Sequence, residues 1–228
     1  HPLGGLPMVG HVLEVCRRLG VKRTLIVIGH QAERVREALA TYAVEFVLQE
    51  EQRGTAHAVL QTEVALQGFA GDVLVVNGDV PLLSDALVQR LLTTHAAWRA
   101  VATAVTTRLA DPAGYGRVLR DRRGALRGIV EEVEATPAQR RVREINAGIY
   151  CFNAPRVFEA LHMVRPSAVK GELYLPEVLA ILLKARERIA TVLAEDSREV
   201  LGINTRGELA EAYGVLRRRI VDRLMEAG

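Results

Sequence analysis

The feature that most restricts the fold is an alternation between short apolar runs and segments with helical spacing, repeated along the first part of the chain. From Met8 to Leu19 the residues Met8, Val9, Val12, Leu13, Val15, Cys16 and Leu19 share one helical face, and Gly20 is placed to stop the helix. Thr24-Leu25-Ile26-Val27-Ile28, closed by Gly29, is continuous, apolar and β-branched, the pattern of a strand buried on both faces. A helix over 31–40, a strand over 44–48, a helix from near Thr55, a strand over 73–76 and a helix after Ser84 follow. Such alternation with short connections predicts right-handed βαβ crossovers and a parallel sheet covered by helices.

The second half reads differently. Val101–Thr107, Ala125–Glu131 and Glu144–Phe152 are strand-like with no long helix between them, and with Gly114-Tyr115-Gly116 and the turn Arg120-Asp121-Arg122-Arg123-Gly124 between the first two, the region looks like hairpins. Helices near 155–162, over Leu175–Ala185 and over Glu208–Leu224, with a strand at Ile189–Leu193, complete the chain. The expectation is one α/β domain over 1–228, with a Rossmann-like mixed, mostly parallel sheet, helices on both faces and an antiparallel insertion.

Composition narrows the function classes. With 49% hydrophobic and 25% charged residues among 228, the chain is neither disordered nor collagen-like, and no apolar run reaches the roughly 20 residues of a membrane span. The net charge of +3 is carried by 27 Arg and three Lys dispersed along the chain, with Trp98 the single tryptophan, which disfavours a nucleic-acid-binding stripe. Cys16 and Cys151 lie far apart inside apolar stretches, so two buried free thiols in a reducing cytoplasm are expected rather than a disulfide or zinc site. No charged-then-apolar leader opens the sequence, and its first residue is His1 rather than Met, so residues upstream are expected.

In an open α/β sheet, ligands bind beyond the carboxyl ends of the strands. Asp79 sits there, after the apolar run 73–76, with Gly78 permitting close approach and Pro81 fixing the exit. It is either the organiser of a βα turn or one oxygen ligand of a hard cation such as Mg²⁺, which takes one or two carboxylates plus substrate phosphates. Gln49 and Gly54-Thr55 bracket a polar loop that opens a helix. An amide and a helix start suit the edge of a heterocycle, although Thr55 as a plain N-cap and Gln49 as a solvated loop residue explain the same pattern. Gly114-Tyr115-Gly116 suits a tight turn near a ligand or an ordinary hairpin. Glu131 ends a strand, and Asn146 precedes Ala147 and Gly148, so both could bond sugar hydroxyls or be satisfied structurally. Asn204, after Gly202-Ile203, is a helix cap or a metal ligand. His11, His30, His57, His95 and His162 lack ligand spacing, so core or surface roles are expected for them. The chain has no GxGxxG after a strand, no GxxxxGK[ST] and no GxSxG, so Rossmann dinucleotide, P-loop and hydrolase-elbow sites lose support.

Taken in order, these blocks resemble sugar-nucleotide pyrophosphorylases, and most closely the N-terminal uridylyltransferase domains of the bacterial bifunctional enzymes that make UDP-N-acetylglucosamine. The resemblance is carried by Val47-Leu48-Gln49 with Gln52-Arg53-Gly54-Thr55-Ala56-His57-Ala58, Gly78-Asp79-Val80-Pro81-Leu82, Asp111–Arg117, Gly128-Ile129-Val130-Glu131, Glu144–Ile149, Gly171-Glu172-Leu173-Tyr174-Leu175 and Gly202-Ile203-Asn204. It implies that Gln49, Gly54 and Thr55 hold uracil, and that Asp79 and Asn204 act catalytically by holding Mg²⁺ between the phosphates. It also implies that Gly116, Glu131, Asn146 and Tyr174 surround the amino sugar. The implied substrates are UTP and N-acetylglucosamine 1-phosphate, the products a UDP-sugar for cell-wall synthesis and pyrophosphate.

Departures from the family pattern are equally specific. Family members open with an apolar strand, a G-x-G-T-R-M loop and a P-K-x-L-H segment, and His1 matches the last residue of that segment. The 228 residues alone are therefore expected to lack one strand and the phosphate-binding Arg and Lys, with little activity and reduced stability. The family continues past Met225–Gly228 into a β-helix acetyltransferase domain, and its homotrimer, built largely by that domain, belongs to the intact bifunctional protein. Asn77 stands where an aromatic residue often precedes Gly-Asp, and Pro176 lies inside the Gly171–Glu177 block. The competing readings are a hexose-1-phosphate nucleotidyltransferase using dTTP or GTP, and a catalytically silent nucleotide-binding regulatory domain. A metal-dependent glycosyltransferase is a third, but Gly78-Asp79-Val80 offers one acid where an Asp-x-Asp is usual.

Overall fold

A computed structural model describes residues 2–227; His1 and Gly228, and the expectations attached to them, lie outside the described residues. The elements run β1 (Pro2–Leu3), β2 (Leu6–Pro7), α1 (Met8–Arg18), β3 (Leu25–Ile28), α2 (Ala32–Ala38), β4 (Glu45–Leu48), α3 (Thr55–Leu60), β5 (Asp72–Val75) and α4 (Asp85–Trp98). Then come β6 (Ala102–Arg108), β7 (Arg117–Arg120), β8 (Leu126–Val130), α5 (Pro137–Arg140), β9 (Glu144–Asn153), α6 (Ala154–Leu161), α7 (Pro176–Lys184), β10 (Ile189–Leu193) and α8 (Arg206–Ala227).

Local chemistry sets many of these limits. Gly20, at φ 71°, ends α1 by donating its N–H to the Arg17 carbonyl at 3.1 Å while Val21 N–H reaches the Cys16 carbonyl. Ser84 starts α4 by accepting the Leu87 N–H at 3.1 Å.

The main sheet has the order β10-β6-β9-β7-β8, with β5 also pairing β9. β10 runs parallel to β6, whereas β9 is antiparallel to β5, β6 and β7. Alternation along β9 divides the core into two layers. Tyr150 and Phe152 pack with α3, α6 and α7 on one face, and Ile149 and Cys151 pack with α1 and α4 on the other. Both cysteines are buried and free, as expected.

The first half departs from the single parallel sheet that its alternation predicts. β3 and β4 are parallel, but they form a sheet of their own, and β5 turns to pair antiparallel with β9. The runs of β3 and β5 line one cavity of about 780 Å³, floored by Val12, Leu13 and Cys16 of α1. Leu25, Ile26 and Val27 are therefore half-buried instead of enclosed on both faces.

One irregularity shapes the site. β5 pairs β9 only at Tyr150–Asn153, and β7 meets it at Ile145, so Ala147-Gly148-Ile149 has neither neighbour beside it. The β6 register also shifts there, and Gly148 takes φ 70°, a left-handed conformation open to glycine at little cost. A notch opens between the end of β5 and the start of β7.

Candidate functional site

The first corner lies at the end of β4. Gln49 is 8% exposed, so the solvated-loop alternative does not hold. Its N–H donates to the Ile28 carbonyl at 2.7 Å, and its side-chain Nε2 donates to the Gly54 carbonyl at 3.2 Å and reaches His57 Nδ1 at 2.9 Å. Gly54 occupies the cap position of α3 with φ 105°, and a Cβ there would fall 2.6 Å from the Leu173 carbonyl oxygen. A side chain is excluded by both conformation and space. Thr55 is consequently the first helical residue and not the N-cap, and its Oγ1 accepts the Leu175 N–H at 3.0 Å. Leu173 N–H donates to the Arg53 carbonyl and Ala56 N–H to the Leu173 carbonyl, so the loop before α3 and the segment carrying Tyr174 are laced together.

The second corner lies past the end of β5. Asp79 Oδ1 is buried with no hydrogen-bond partner among the described residues, and burial pushes the carboxyl above its ordinary pKa. Its backbone carbonyl accepts the Ile203 N–H at 3.0 Å, which draws Gly202-Ile203-Asn204 against it. A Cβ on Gly202 would stand 2.7 Å from Asp79 Oδ2. The cap of α8 is made by Thr205, whose Oγ1 accepts the Glu208 N–H at 3.1 Å, while Glu208 Oε2 accepts the N–H groups of Thr205 and Asn204 at 2.8 and 2.6 Å. Asn204 is thus not the helix cap, and its exposed amide makes no hydrogen bond among the described residues.

The third corner gathers around the notch. Asn146 N–H donates to the Gly116 carbonyl at 2.9 Å, and a Cβ on Gly116 would lie 3.1 Å from Glu131 Oε1. Asn146 Nδ2 donates to the hydroxyl of the fully buried Tyr150 at 2.6 Å, and Oδ1 accepts the Gly148 N–H at 3.3 Å. Burial and then Glu134 push the Glu131 carboxyl up. Tyr174 feels Glu131 too: its phenol is pushed up by burial and then by Glu172 and Glu131.

These contacts join the corners into one rim. Gly54 meets Leu173, next to Tyr174, which lies within electrostatic reach of Glu131. Glu131 lies against Gly116, whose carbonyl accepts the Asn146 N–H, and Asn77 Nδ2 lies 2.6 Å from where a Gly148 Cβ would be, two residues before Asp79. Tyr115 closes the circuit, its phenol pushed up by burial and by the charges of Glu208 and Asp79. The nine residues that the resemblance implicates, Gln49, Gly54, Thr55, Asp79, Gly116, Glu131, Asn146, Tyr174 and Asn204, belong to the segments that form these three corners.

Three other residues hold it and were given no site role from the sequence. Arg117, 2% exposed, extends the β7 end by pairing Glu132 at 3.0 Å and bonding the carbonyls of Tyr115 and Arg140. Gly202 supplies the clearance at Asp79. His57, expected in a core or surface role, stands between Gln49 and Gln61, whose amide lies 3.2 Å from its Nε2. The His57–Gln61 spacing of one helical turn was readable; the approach of Gln49 was not.

The described residues contain no helix long and apolar enough to cross a membrane. The fold is similar to that of a solved UDP-glucose pyrophosphorylase complexed with UDP-glucose, with a TM-score of 0.71 over 96% of this chain and 89% of that one, at 14% identity. In sequence, the chain is 46% identical over 228 residues to the bifunctional protein GlmU of Syntrophotalea carbinolica and to that of Listeria monocytogenes, and 43% identical to that of Pelotomaculum thermopropionicum. These matches cover 100% of this chain and 49–50% of those proteins, so the chain spans about half the length of the curated relatives it matches. A model of the nucleotidyl transferase family matches residues 1–198, well over half of the chain, and on that ground the chain belongs to the nucleotidyl transferase family.

Proposed function

We propose that this chain transfers a uridylyl group from UTP to N-acetylglucosamine 1-phosphate, releasing pyrophosphate and supplying a UDP-amino sugar for cell-wall precursor synthesis in the cytoplasm. The observation that carries the reading is the buried, partnerless carboxylate oxygen of Asp79 past the end of β5, with the segment Gly202-Ile203-Asn204 held against that residue by the Ile203 N–H. The relatives at 46% identity support the choice of substrates.

The donor set fits Mg²⁺. No cluster of three or more His, Cys, Asp or Glu able to hold a metal exists among the described residues, and an ion that takes one carboxylate, one amide oxygen and several phosphate oxygens needs none. Asp79 and Asn204 would hold it, and when bound it supplies charge neutralisation and a template for the phosphates.

The reaction forms a bond between a phosphate oxygen of the sugar 1-phosphate and the α-phosphorus of UTP. The bond from that phosphorus to the bridging oxygen breaks, and pyrophosphate leaves with the electron pair. A phosphate monoester is close to dianionic at neutral pH, its second pKa being about 6, so the attacking oxygen needs no strong base. The protein's task is alignment of two anions. Gln49, Gly54 and Thr55 hold the uracil, the Thr55 hydroxyl still having its proton to donate. Gly116, Glu131, Asn146 and Tyr174 hold the sugar: Glu131 accepts from hydroxyl or amide groups, Asn146 offers its second amide hydrogen, and Gly116 leaves space for the ring.

Pyrophosphate release by the full-length protein with Mg²⁺, UTP and N-acetylglucosamine 1-phosphate tests the proposal. Turnover is expected, with Asp79→Ala reducing kcat by about a hundredfold or more, as for loss of a preorganised charge-stabilising group. Gln49→Ala should instead act mainly on the KM for UTP. A folded protein that binds UTP but releases no pyrophosphate with this sugar phosphate would overturn the assignment.

A further inference from the structure

We infer that His57 is a positioning residue that fixes which end of the Gln49 amide faces the base, and thereby makes the site select uracil over cytosine. The inference rests on the uridylyl-transfer reading above, which places Gln49 at the base.

The argument is one of hydrogen-bond occupancy. An amide nitrogen only donates, and Gln49 Nε2 has two hydrogens. One points at the Gly54 carbonyl, 3.2 Å away, an acceptor that cannot donate in return, so the nitrogen end of the amide faces it. The second meets His57 Nδ1 at 2.9 Å, and that ring nitrogen must then be the acceptor. A neutral imidazole with Nδ1 accepting carries its proton on Nε2. There the Gln61 amide, just past the end of α3, lies 3.2 Å away. Its nitrogen also faces the His57 carbonyl at 3.2 Å, but that carbonyl already accepts the Gln61 backbone N–H. The half-exposed Gln61 amide, unlike the buried Gln49 amide, turns its oxygen to the ring N–H, the two ends of an amide being interchangeable in shape.

Both hydrogens of the buried Gln49 amide are thus held inside the protein. Its Oε1 has no donor among the described residues, and it is absent from the buried atoms that lack a partner, so it remains available to a ligand. The side chain is locked as an acceptor. Uracil presents a ring N3–H donor, whereas cytosine presents an N3 lone pair, which an acceptor repels. Without the ring nitrogen of His57, the Gly54 carbonyl alone holds the amide by a long bond. The amide is then free to turn and offer Nε2 to cytosine.

UTP and CTP carry the same phosphates, so the ratio of their dissociation constants isolates the base. Titration calorimetry on the full-length protein with Mg²⁺ is expected to show wild-type preference for UTP, reduced about tenfold in His57→Phe through weaker UTP and tighter CTP binding. In His57→Asn, whose Oδ1 stands in for Nδ1, the preference should be largely retained. An unchanged ratio in folded His57→Phe, with the ratio lost in Gln49→Ala, would overturn the positioning role. An unchanged ratio in Gln49→Ala as well would overturn the base-site reading itself. Should the Phe variant fail to fold, long-range proton–nitrogen NMR of the wild-type ring decides. Protonation at Nε2 is the expected result, and protonation at Nδ1 sinks the inference.

Discussion

Asp79 illustrates how a single residue can be placed against its own stability. A half-exposed carboxylate would find water, and a paired one would find Arg or a backbone N–H. Here Oδ1 has neither, and Gly202 presses on the other oxygen with only a hydrogen where a Cβ would collide. Removing the charge without changing the shape should therefore help the ligand-free fold. Asp79→Asn is expected to raise the unfolding free energy by on the order of 1 kcal/mol in metal-free buffer, measured by urea denaturation. The same variant should lose the stabilisation that added Mg²⁺ and UTP give the wild type. Asp79, Gln49 and Gly54 were legible as candidates because each follows an apolar strand or opens a helix. The sequence left Asn204 undecided between cap and ligand, since the choice depends on Thr205 and Glu208 completing the cap between themselves.

Caps and register decide how the elements deliver those residues. The Thr205–Glu208 box starts α8 and holds the Asn204 N–H as well, so the helix start and the orientation of Asn204 are one structure. Thr205→Ala is expected to cost about 1 kcal/mol of stability by loss of the cap. It should also raise the Mg²⁺ concentration needed for half-maximal activity several-fold, whereas Ser at the same position should preserve both; a metal titration of turnover reads the difference. A similar box, Thr136 with Gln139, starts the short α5, which the sequence reading passed over because four residues have too little apolar periodicity to register. The limits of the seven strands read from the sequence were legible to within a residue or two, whereas β1, β2 and β7, of two to four residues each, were not read. The notch in β9 was not, because Glu144–Asn153 reads as one unbroken strand and only the partners on either side, β5 and β7, leave Ala147–Ile149 uncovered.

At the scale of the whole molecule, the carboxylates fall into two groups with opposite pH behaviour. Asp79 and Glu131 are held above their ordinary pKa by burial, so the folded chain binds their protons more tightly than the unfolded chain does, and their contribution to stability grows as pH falls from neutrality. Glu144 is also pushed up by burial, but the Arg120 guanidinium, at 2.9 and 2.5 Å, together with the Thr106 hydroxyl and Arg108, outweighs this and holds it below the usual range. Arg198 does the same for Asp196. Stability from that second group is complete above the unfolded carboxyl pKa and is lost as pH falls through the folded one. The metal-free protein should therefore gain stability on mild acidification and lose it below about pH 4. Denaturant melts across pH check this, and Asp79→Asn combined with Glu131→Gln should flatten the gain while leaving the acid loss in place. By itself the sequence determined the alternation of elements, the division into a βα half and a hairpin half, and the strand-end placement of the candidate residues, because periodicity, β-branching and turn chemistry are local. Tertiary structure decided that β5 leaves its predicted neighbours for β9, that Leu173 closes over Gly54, that Asp79 keeps an orphaned oxygen and that His57 faces Gln49. Each of these depends on atoms brought together from distant parts of the chain or across an intervening loop, and no local pattern encodes their meeting.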